Sequence, residues 1–175
     1  EGLALQRSAA ARVEAMRAEA AALFREGAVA AARARFEEAV DAGEEAVAES
    51  KLPTQDALGR ALATARLSCA AACLKEGDAA QCEELCSGLL KDSALGPVAA
   101  AQALLRRGRA RLSSGKVLPA LRDAAYAVKV VGVPAADKEG IAGKAGALRE
   151  ACLEVHPEFE SEALEMEDAA AARAE

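Results

Sequence analysis

Aromatic side chains are nearly absent from this chain of 175 residues, which has no Trp, one Tyr and three Phe. Alanine takes their place with 49 residues and supplies most of the 53% hydrophobic share. Because alanine is the best helix former and a poor strand former, the composition excludes a β-rich fold and predicts an all-α one. Alanine and leucine bury less area per residue than aromatic side chains, so we expect thin helices that pack close together.

A basic excess and long apolar runs are also missing. The 22 Lys and Arg are outnumbered by 28 Asp and Glu, the signs are interleaved, and the net charge is −6. This balance argues against general nucleic-acid binding, which requires a basic face. Because no window of 18 apolar residues is free of charge, we also expect no membrane-spanning helix.

Combinations of catalytic side chains are lacking as well. His156 is the only histidine, and its position before Pro157 indicates a helix end or a surface site. A single His allows no convincing Ser-His-Asp arrangement, and the segments GLLKDSALG and GIAGKAG do not have the spacing of a phosphate-binding loop. The sequence therefore predicts a protein that is not an enzyme and has no catalytic residue, cofactor or metal.

Three segments of the chain align on a central glycine, at Gly27, Gly77 and Gly115. Small or apolar residues recur at three and five positions before each glycine, and at five, nine and twelve positions after it. In that order they are Phe24, Leu74 and Leu112; Ala22, Ala72 and Ala110; Ala32, Cys82 and Ala120; Phe36, Cys86 and Ala124; and Ala39, Leu89 and Ala127. Glycine tolerates the left-handed backbone of a helix cap, so the pattern predicts three helical hairpins.

This pattern resembles the tetratricopeptide repeat (TPR) over about residues 12–132. The resemblance implies an all-α, right-handed TPR-like solenoid with three helix-turn-helix repeats and a C-terminal capping helix in a domain spanning 1–155. The repeats would cover about 12–50, 55–92 and 95–132, and the capping helix about 135–155. An acidic, Ala-rich tail at 156–175 would follow, as a short helix or a disordered segment.

The glycine spacing indicates an enlarged first interval. Gly27 and Gly77 are 50 residues apart, and Gly77 and Gly115 are 38 apart. The period of a TPR is about 34 residues. We interpret the excess as extra turns on two adjacent helices joined at Ser50–Gln55. Such an enlarged connection resembles the TPR domains of co-chaperones, especially the large FKBP-type immunophilins, but no peptidyl-prolyl isomerase domain is present in these residues.

In TPR arrays the first helix of each repeat lines a concave groove, and the resemblance therefore implies twelve partner-binding candidates. They are Arg17, Ala21, Phe24, Arg25, Leu67, Ser68, Ala71, Lys75, Gln102, Leu105, Arg106 and Arg109. Chaperone-binding members hold a peptide carboxylate with Lys, Asn, Asn, Lys and Arg. Those five positions correspond here to Arg17, Ala21, Ser68, Gln102 and Arg106. The specific clamp is thus expected to be broken, while two cations remain.

The most basic stretch contains Arg106, Arg107, Arg109, Arg111 and Lys116. It has two interpretations: a solvated helix face balanced by nearby acids, or one wall of a groove for an acidic segment.

Four of the five cysteines form two C-x3-C pairs, Cys69 with Cys73 and Cys82 with Cys86. They occupy offsets that hold Ala, Leu or Phe in the other repeats, so we interpret them as small buried hydrophobes. Two alternatives are a zinc site and the disulfides Cys69–Cys86 and Cys73–Cys82, because the paired motif resembles disulfide-bonded helical hairpins of the mitochondrial intermembrane space. Cys152 has no evident partner. The odd number favours a reducing compartment, cytoplasmic or organellar.

The sequence as a whole predicts a non-catalytic protein–protein interaction module, which would act as an adaptor or as a stably bound scaffold subunit of a larger assembly. Its partner would be a protein or peptide segment, acidic in one interpretation, held in the groove. The alternatives are a divergent co-chaperone, and the TPR part of a prolyl isomerase whose catalytic domain lies outside this chain.

Overall fold

The computed structural model describes residues 1–54, 56–92 and 95–172, and all regular structure in these ranges is helical. The prediction of an all-α fold is therefore confirmed. The helices are α1 (Gly2–Arg25), α2 (Val29–Ser50), α3 (Asp56–Glu76), α4 (Ala79–Leu89), α5 (Pro97–Ser113), α6 (Val117–Val128), α7 (Ala135–Val155) and α8 (Glu160–Ala172), with a short 3-10 turn at Pro157–Phe159 before α8.

The chain divides into two compact units, Glu1–Gly77 and Asp78–Glu175. The first unit contains α1 to α3, and the second contains α4 to α8. Their boundary falls inside the second predicted repeat, at the turn between its two helices. The repeat limits at 12–50, 55–92 and 95–132 stay predictions.

The three repeat glycines form the turns that the sequence predicts. Gly27, Gly77 and Gly115 have positive φ values of 87°, 86° and 74°. Each follows the end of a helix, α1, α3 or α5, by one or two residues, and the next helix begins two residues later. A side chain is strained in this left-handed conformation, which is why glycine occupies all three turns.

The helices that follow these glycines bury the same register of positions. The residues five, nine and twelve positions after each glycine are all at most 4% exposed: Ala32, Phe36, Ala39, Cys82, Cys86, Leu89, Ala120, Ala124 and Ala127. Positions spaced by four and three residues form one stripe along a helix, so α2, α4 and α6 each bury a matching stripe.

In the first unit, α1, α2 and α3 pack against one another around Val13, Leu58 and Leu62. Gly43 of α2 allows their close approach, because a Cβ there would lie 2.5 Å from Leu62 Cδ2 and 3.1 Å from Val13 Cγ2. The predicted extra turns are present, since α2 has 22 residues and α3 has 21, against 17 in α5 and 12 in α6. Gln55, at the end of the predicted joint, lies outside the described residues.

In the second unit, α5, α6 and α7 form the core, and α8 packs against α6. The predicted capping helix at 135–155 coincides with α7. The tail is helical from Glu160 to Ala172, and Ala163 is buried in the core while Phe159 and Met166 pack against it. Of the two alternatives for the tail, the helix is thus the one present, and α8 belongs to the second unit. Residues 173–175 lie outside the described ranges.

One described helix, α3, is long and apolar enough by length and composition to cross a membrane. Half of its apolar window is buried inside the protein, and the helix packs against α1 and α2. A core helix has the same properties, so this is weak evidence for a membrane span, and the expectation of none stays a prediction.

Candidate functional site

Two arginines of α5 pair with one buried carboxylate on α6. Asp123 is 1% exposed. Arg107 holds it with two hydrogen bonds, Nη2 to Oδ1 at 2.6 Å and Nε to Oδ2 at 3.0 Å, and Arg111 adds Nη1 to Oδ2 at 2.9 Å. A buried carboxylate requires such pairing because an unpaired charge is costly to remove from water.

The network continues to α4 through Glu83. This carboxylate accepts hydrogen bonds from Lys116 Nζ at 2.8 Å and from Arg111 Nε at 2.9 Å. The two cations, Lys116 first and then Arg111, lower the pKa of Glu83. Asp123 and Glu83 therefore form ion pairs with three of the five cations in the basic stretch.

Arg106 and Arg109, the remaining two cations, are different. Throughout the part of the chain that the structure describes, neither forms an ion pair. Nη1 of Arg106 is fully buried and has no hydrogen-bond partner. Burial lowers the pKa of Arg106; Cys86 and Cys82 oppose this shift, and the positive charge of Arg109 adds to it. Arg109 is exposed. Two guanidinium groups on α5 thus carry charge that no described acid neutralises.

In the first unit, the structure brings two of the predicted partner-binding residues together. Lys75 of α3 places Nζ 5.1 Å from the ring centroid of Phe24 on α1. A cation over an aromatic face is attracted by the ring quadrupole. Phe24 is half-buried and Lys75 is exposed, so this pair is an amphipathic surface patch.

Other candidates make local contacts within their own helices. Arg17 pairs with Glu14 at 2.8 Å, and Ser68 Oγ donates to the Thr64 carbonyl oxygen at 2.9 Å. Both groups therefore have partners already, which weakens the case for them as ligand contacts. The rest of the set is partly or fully exposed: Ala21, Arg25, Ala71 and Gln102.

Leu67 and Leu105 are each only 5% exposed. Leu105 belongs to the hydrophobic core of the second unit. At this exposure the two leucines offer almost no surface to a partner, although the TPR pattern includes them among the groove candidates.

All five cysteines are buried. Burial, followed by the neighbouring Cys73, raises the pKa of Cys69 to about 12. A hydrogen bond with Cys86 lowers the pKa of Cys82, and the same bond raises that of Cys86. The proposed disulfides would each join a cysteine of the first unit to one of the second, and they stay a prediction.

Within 1–54, 56–92 and 95–172, no group of three or more His, Cys, Asp or Glu side chains could hold a metal ion. The described residues therefore offer two separate candidate sites, the charged face of α5 in the second unit and the Phe24–Lys75 patch in the first. The sequence did not reveal that Asp123 pairs with Arg107 and Arg111 and leaves the other arginines of α5 without this partner. The available signal was that this carboxylate comes directly before the uncharged stretch AAYAV.

No protein-family model, curated protein or solved structure matches this chain.

Proposed function

We propose that this protein is a non-catalytic interaction module that binds an acidic segment of a partner protein through the face of α5. The observation that carries the proposal is the pair Arg106 and Arg109, which lack ion pairs within the described residues while Arg107, Arg111 and Lys116 are paired with carboxylates. In the proposed architecture α5 is the first helix of the third repeat of a right-handed TPR-like solenoid.

The chemistry of Arg106 favours an anionic ligand. Its Nη1 is buried without a hydrogen bond, so the free protein carries an unsatisfied charged donor. An incoming carboxylate would accept a charge-assisted hydrogen bond from the exposed Arg109 and would compensate the charge of Arg106 beside it. Gln102 and Arg109 stand four residues before and three residues after Arg106, so the three side chains form one line on the helix. This line suits an extended acidic segment.

The Phe24–Lys75 patch of the first unit supports the same class of partner. Its aromatic ring and ammonium group would contact a segment in which apolar and acidic residues alternate. Because the chemistry of both places is recognition rather than bond making, we propose the role of an adaptor, or of a scaffold subunit held in a larger assembly.

The proposal is tested by fluorescence polarisation with a labelled twelve-residue peptide of alternating Glu and Leu. Arg106→Ala combined with Arg109→Ala should weaken binding about tenfold or more, because each charge-assisted hydrogen bond contributes about 1.5–3 kcal/mol. The double variant should also reduce the salt dependence of binding.

The matched control removes two exposed cations of the same unit, Arg122→Ala with Lys144→Ala, and so changes net charge equally. If both double variants weaken binding to the same extent, general attraction to positive charge is the explanation and the α5 site is wrong. A second peptide of the same composition that ends in EEVD tests the divergent co-chaperone alternative. Preference for that terminus would support it.

A further inference from the structure

The second unit contains an apolar trench between α6, α7 and α8, away from the charged face of α5. Two hollows of about 290 and 380 Å³ lie side by side and share Val128, Lys129 and Ala142 in their walls. We call these two adjacent hollows together the α6–α8 trench; residues of α8 line the first hollow. On α7 its lining extends from Lys138 to Arg149, or about 16 Å at 1.5 Å per residue.

Small residues on α7 make the trench. Ala142, Ala145 and Gly146 line it, and a Cβ added at Gly146 would meet no atom within 4 Å. Gly108 differs, since a Cβ there would lie 2.6 Å from Leu148 Cδ2, so internal packing explains that glycine. Glycine inside a helix is destabilising relative to alanine. Gly140 and Gly143 of α7 have the same open space beside them, and what distinguishes Gly146 is its place in the trench lining.

Large apolar side chains are exposed along the same trench. Val128 is 46% exposed and Val131 is 74% exposed, and both line the second hollow. Both belong to the sequence VKVVGV at 128–133: Val128 is the last residue of α6, and Val131 lies in the turn that follows. An apolar occupant would remove this surface from water.

Cations predominate in the lining. Lys129, Lys138 and Arg149 line the trench with a single acid, Glu167. Arg149 Nε lies 3.0 Å from Glu167 Oε1, but the two atoms are not aligned as a hydrogen bond, and the Nε atom is buried without a hydrogen-bond partner. One end of the apolar trench thus has a partly exposed arginine whose charge is paired with Glu167 while its Nε donates no hydrogen bond.

We propose that the α6–α8 trench binds a single-chain amphiphile with an anionic head, such as a fatty acid. The carboxylate would replace Glu167 as the partner of Arg149, and the alkyl chain would extend past Val128 toward Val131. Hollows of this size are at the lower end of small-molecule sites, whereas a partner helix is about 10 Å wide and would not enter them. The charge of the lining is complementary to the head, and its apolar wall is complementary to the chain.

Isothermal titration calorimetry with hexanoate, octanoate and decanoate, all below their micelle concentrations, tests whether the alkyl chain of the ligand binds in the trench. Affinity should rise about fourfold for each added methylene group, because each buries further apolar surface. Gly146→Leu should fill the trench and abolish binding of decanoate. Gly143→Leu is the matched control, since a Cβ at Gly143 also meets nothing within 4 Å but this residue is outside the lining.

Two further variants test the anionic head. Arg149→Gln should weaken decanoate binding about tenfold, the loss expected for a charge-assisted hydrogen bond. Glu167→Gln should instead strengthen it severalfold, because the internal competitor is removed. Neutral decanol should bind no better to Glu167→Gln than to the original protein.

The proposal is overturned if decanoate does not bind, if Gly146→Leu and Gly143→Leu bind it equally, or if decanol and decanoate respond alike to Glu167→Gln. It is also overturned if sedimentation shows a dimer that Gly146→Leu dissociates, since a second copy would then occupy the trench. The α5 double variant, Arg106→Ala with Arg109→Ala, should bind decanoate unchanged. Failure of the acidic-peptide proposal and failure of this one are therefore separate results.

Discussion

The two units of this protein use the same charged side chains in different surroundings. In the first unit, ion pairs lie at the surface, such as Arg35 with Glu19 at 2.6 Å and Arg66 with Glu44 at 2.7 Å. In the second unit, Arg107 and Arg111 converge on Asp123, whose side chain is 2% exposed. The distances are similar, but the carboxylate of Asp123 has been removed from water whereas these two pairs of the first unit stay partly exposed.

The difference teaches that an ion-pair distance does not measure a contribution to stability. Exposed pairs contribute little because water screens them and side-chain entropy opposes them. Removal of one partner from a buried pair leaves an uncompensated charge, which is strongly destabilising. The same burial distinguishes the arginines of α5, since those paired by Asp123 are structural and those left unpaired are available to a ligand.

The largest effect is expected from Asp123→Ala in the second unit. This variant leaves Arg107 and Arg111 without their shared buried partner and should lower the free energy of unfolding by about 3–5 kcal/mol. Urea denaturation measures the loss. The first unit supplies the control, because Glu44→Ala removes an exposed pair and should change stability by about 1 kcal/mol or less. Equal losses in the two variants would contradict the comparison.

A smaller effect is expected at the crowded glycines, where the two units should behave alike. Gly43→Ala in the first unit and Gly108→Ala in the second each place a Cβ against a leucine, at 2.5 and 2.6 Å. Each should destabilise by about 1–3 kcal/mol through overpacking. Gly143→Ala, in open space on α7, should instead stabilise by up to about 1 kcal/mol. Thermal unfolding of the three variants checks the signs, and stabilisation by all three would show that the helices are not tightly packed.

Acid should weaken the network of the second unit through Glu83. Lys116 and Arg111 lower the pKa of Glu83 in the folded protein. A carboxylate with a lowered folded pKa contributes stability above its unfolded pKa, about 4.3 for Glu, and that contribution is lost as pH falls through the folded pKa. Glu83→Gln should therefore reduce the loss of stability between about pH 5 and pH 3. The neighbouring exposed residue provides the control Glu84→Gln, and an equal reduction there would contradict the assignment.

The smallest effect concerns the cysteines, because we expect the number of reactive thiols in the unfolded protein to be the same with and without reductant. If Cys69, Cys73, Cys82 and Cys86 are packing residues in both units, protein unfolded without reductant should react with a thiol reagent at all five cysteines. Reaction at only one would indicate the two disulfides. A count that rises after addition of a zinc chelator would indicate the metal alternative.

Much of the fold could be predicted from local sequence. Gly27, Gly77 and Gly115 mark turns because few other residues adopt a positive φ without strain. The spacing of apolar residues after each glycine predicts the buried stripes of α2, α4 and α6, since helix geometry alone places these positions on one face. The extra turns of α2 and α3 follow from the longer interval between Gly27 and Gly77.

The candidate site was less predictable. The basic stretch of α5 is evident in the sequence, but its division into paired and unpaired arginines depends on where Asp123 and Glu83 lie in three dimensions. Leu105 has the spacing of a groove residue and is buried in the core, because the neighbouring helices decide which face of α5 is covered. The α6–α8 trench has no sequence signal, since it depends on side chains from three helices.

The sequence by itself determined that this protein is helical, where its helices turn and which stripes they bury, because backbone sterics and the helical period act over a few residues. Only the tertiary structure decided which charges are neutralised and where apolar surface stays open. Those properties depend on burial and on contacts between residues far apart in the chain, which local spacing does not specify.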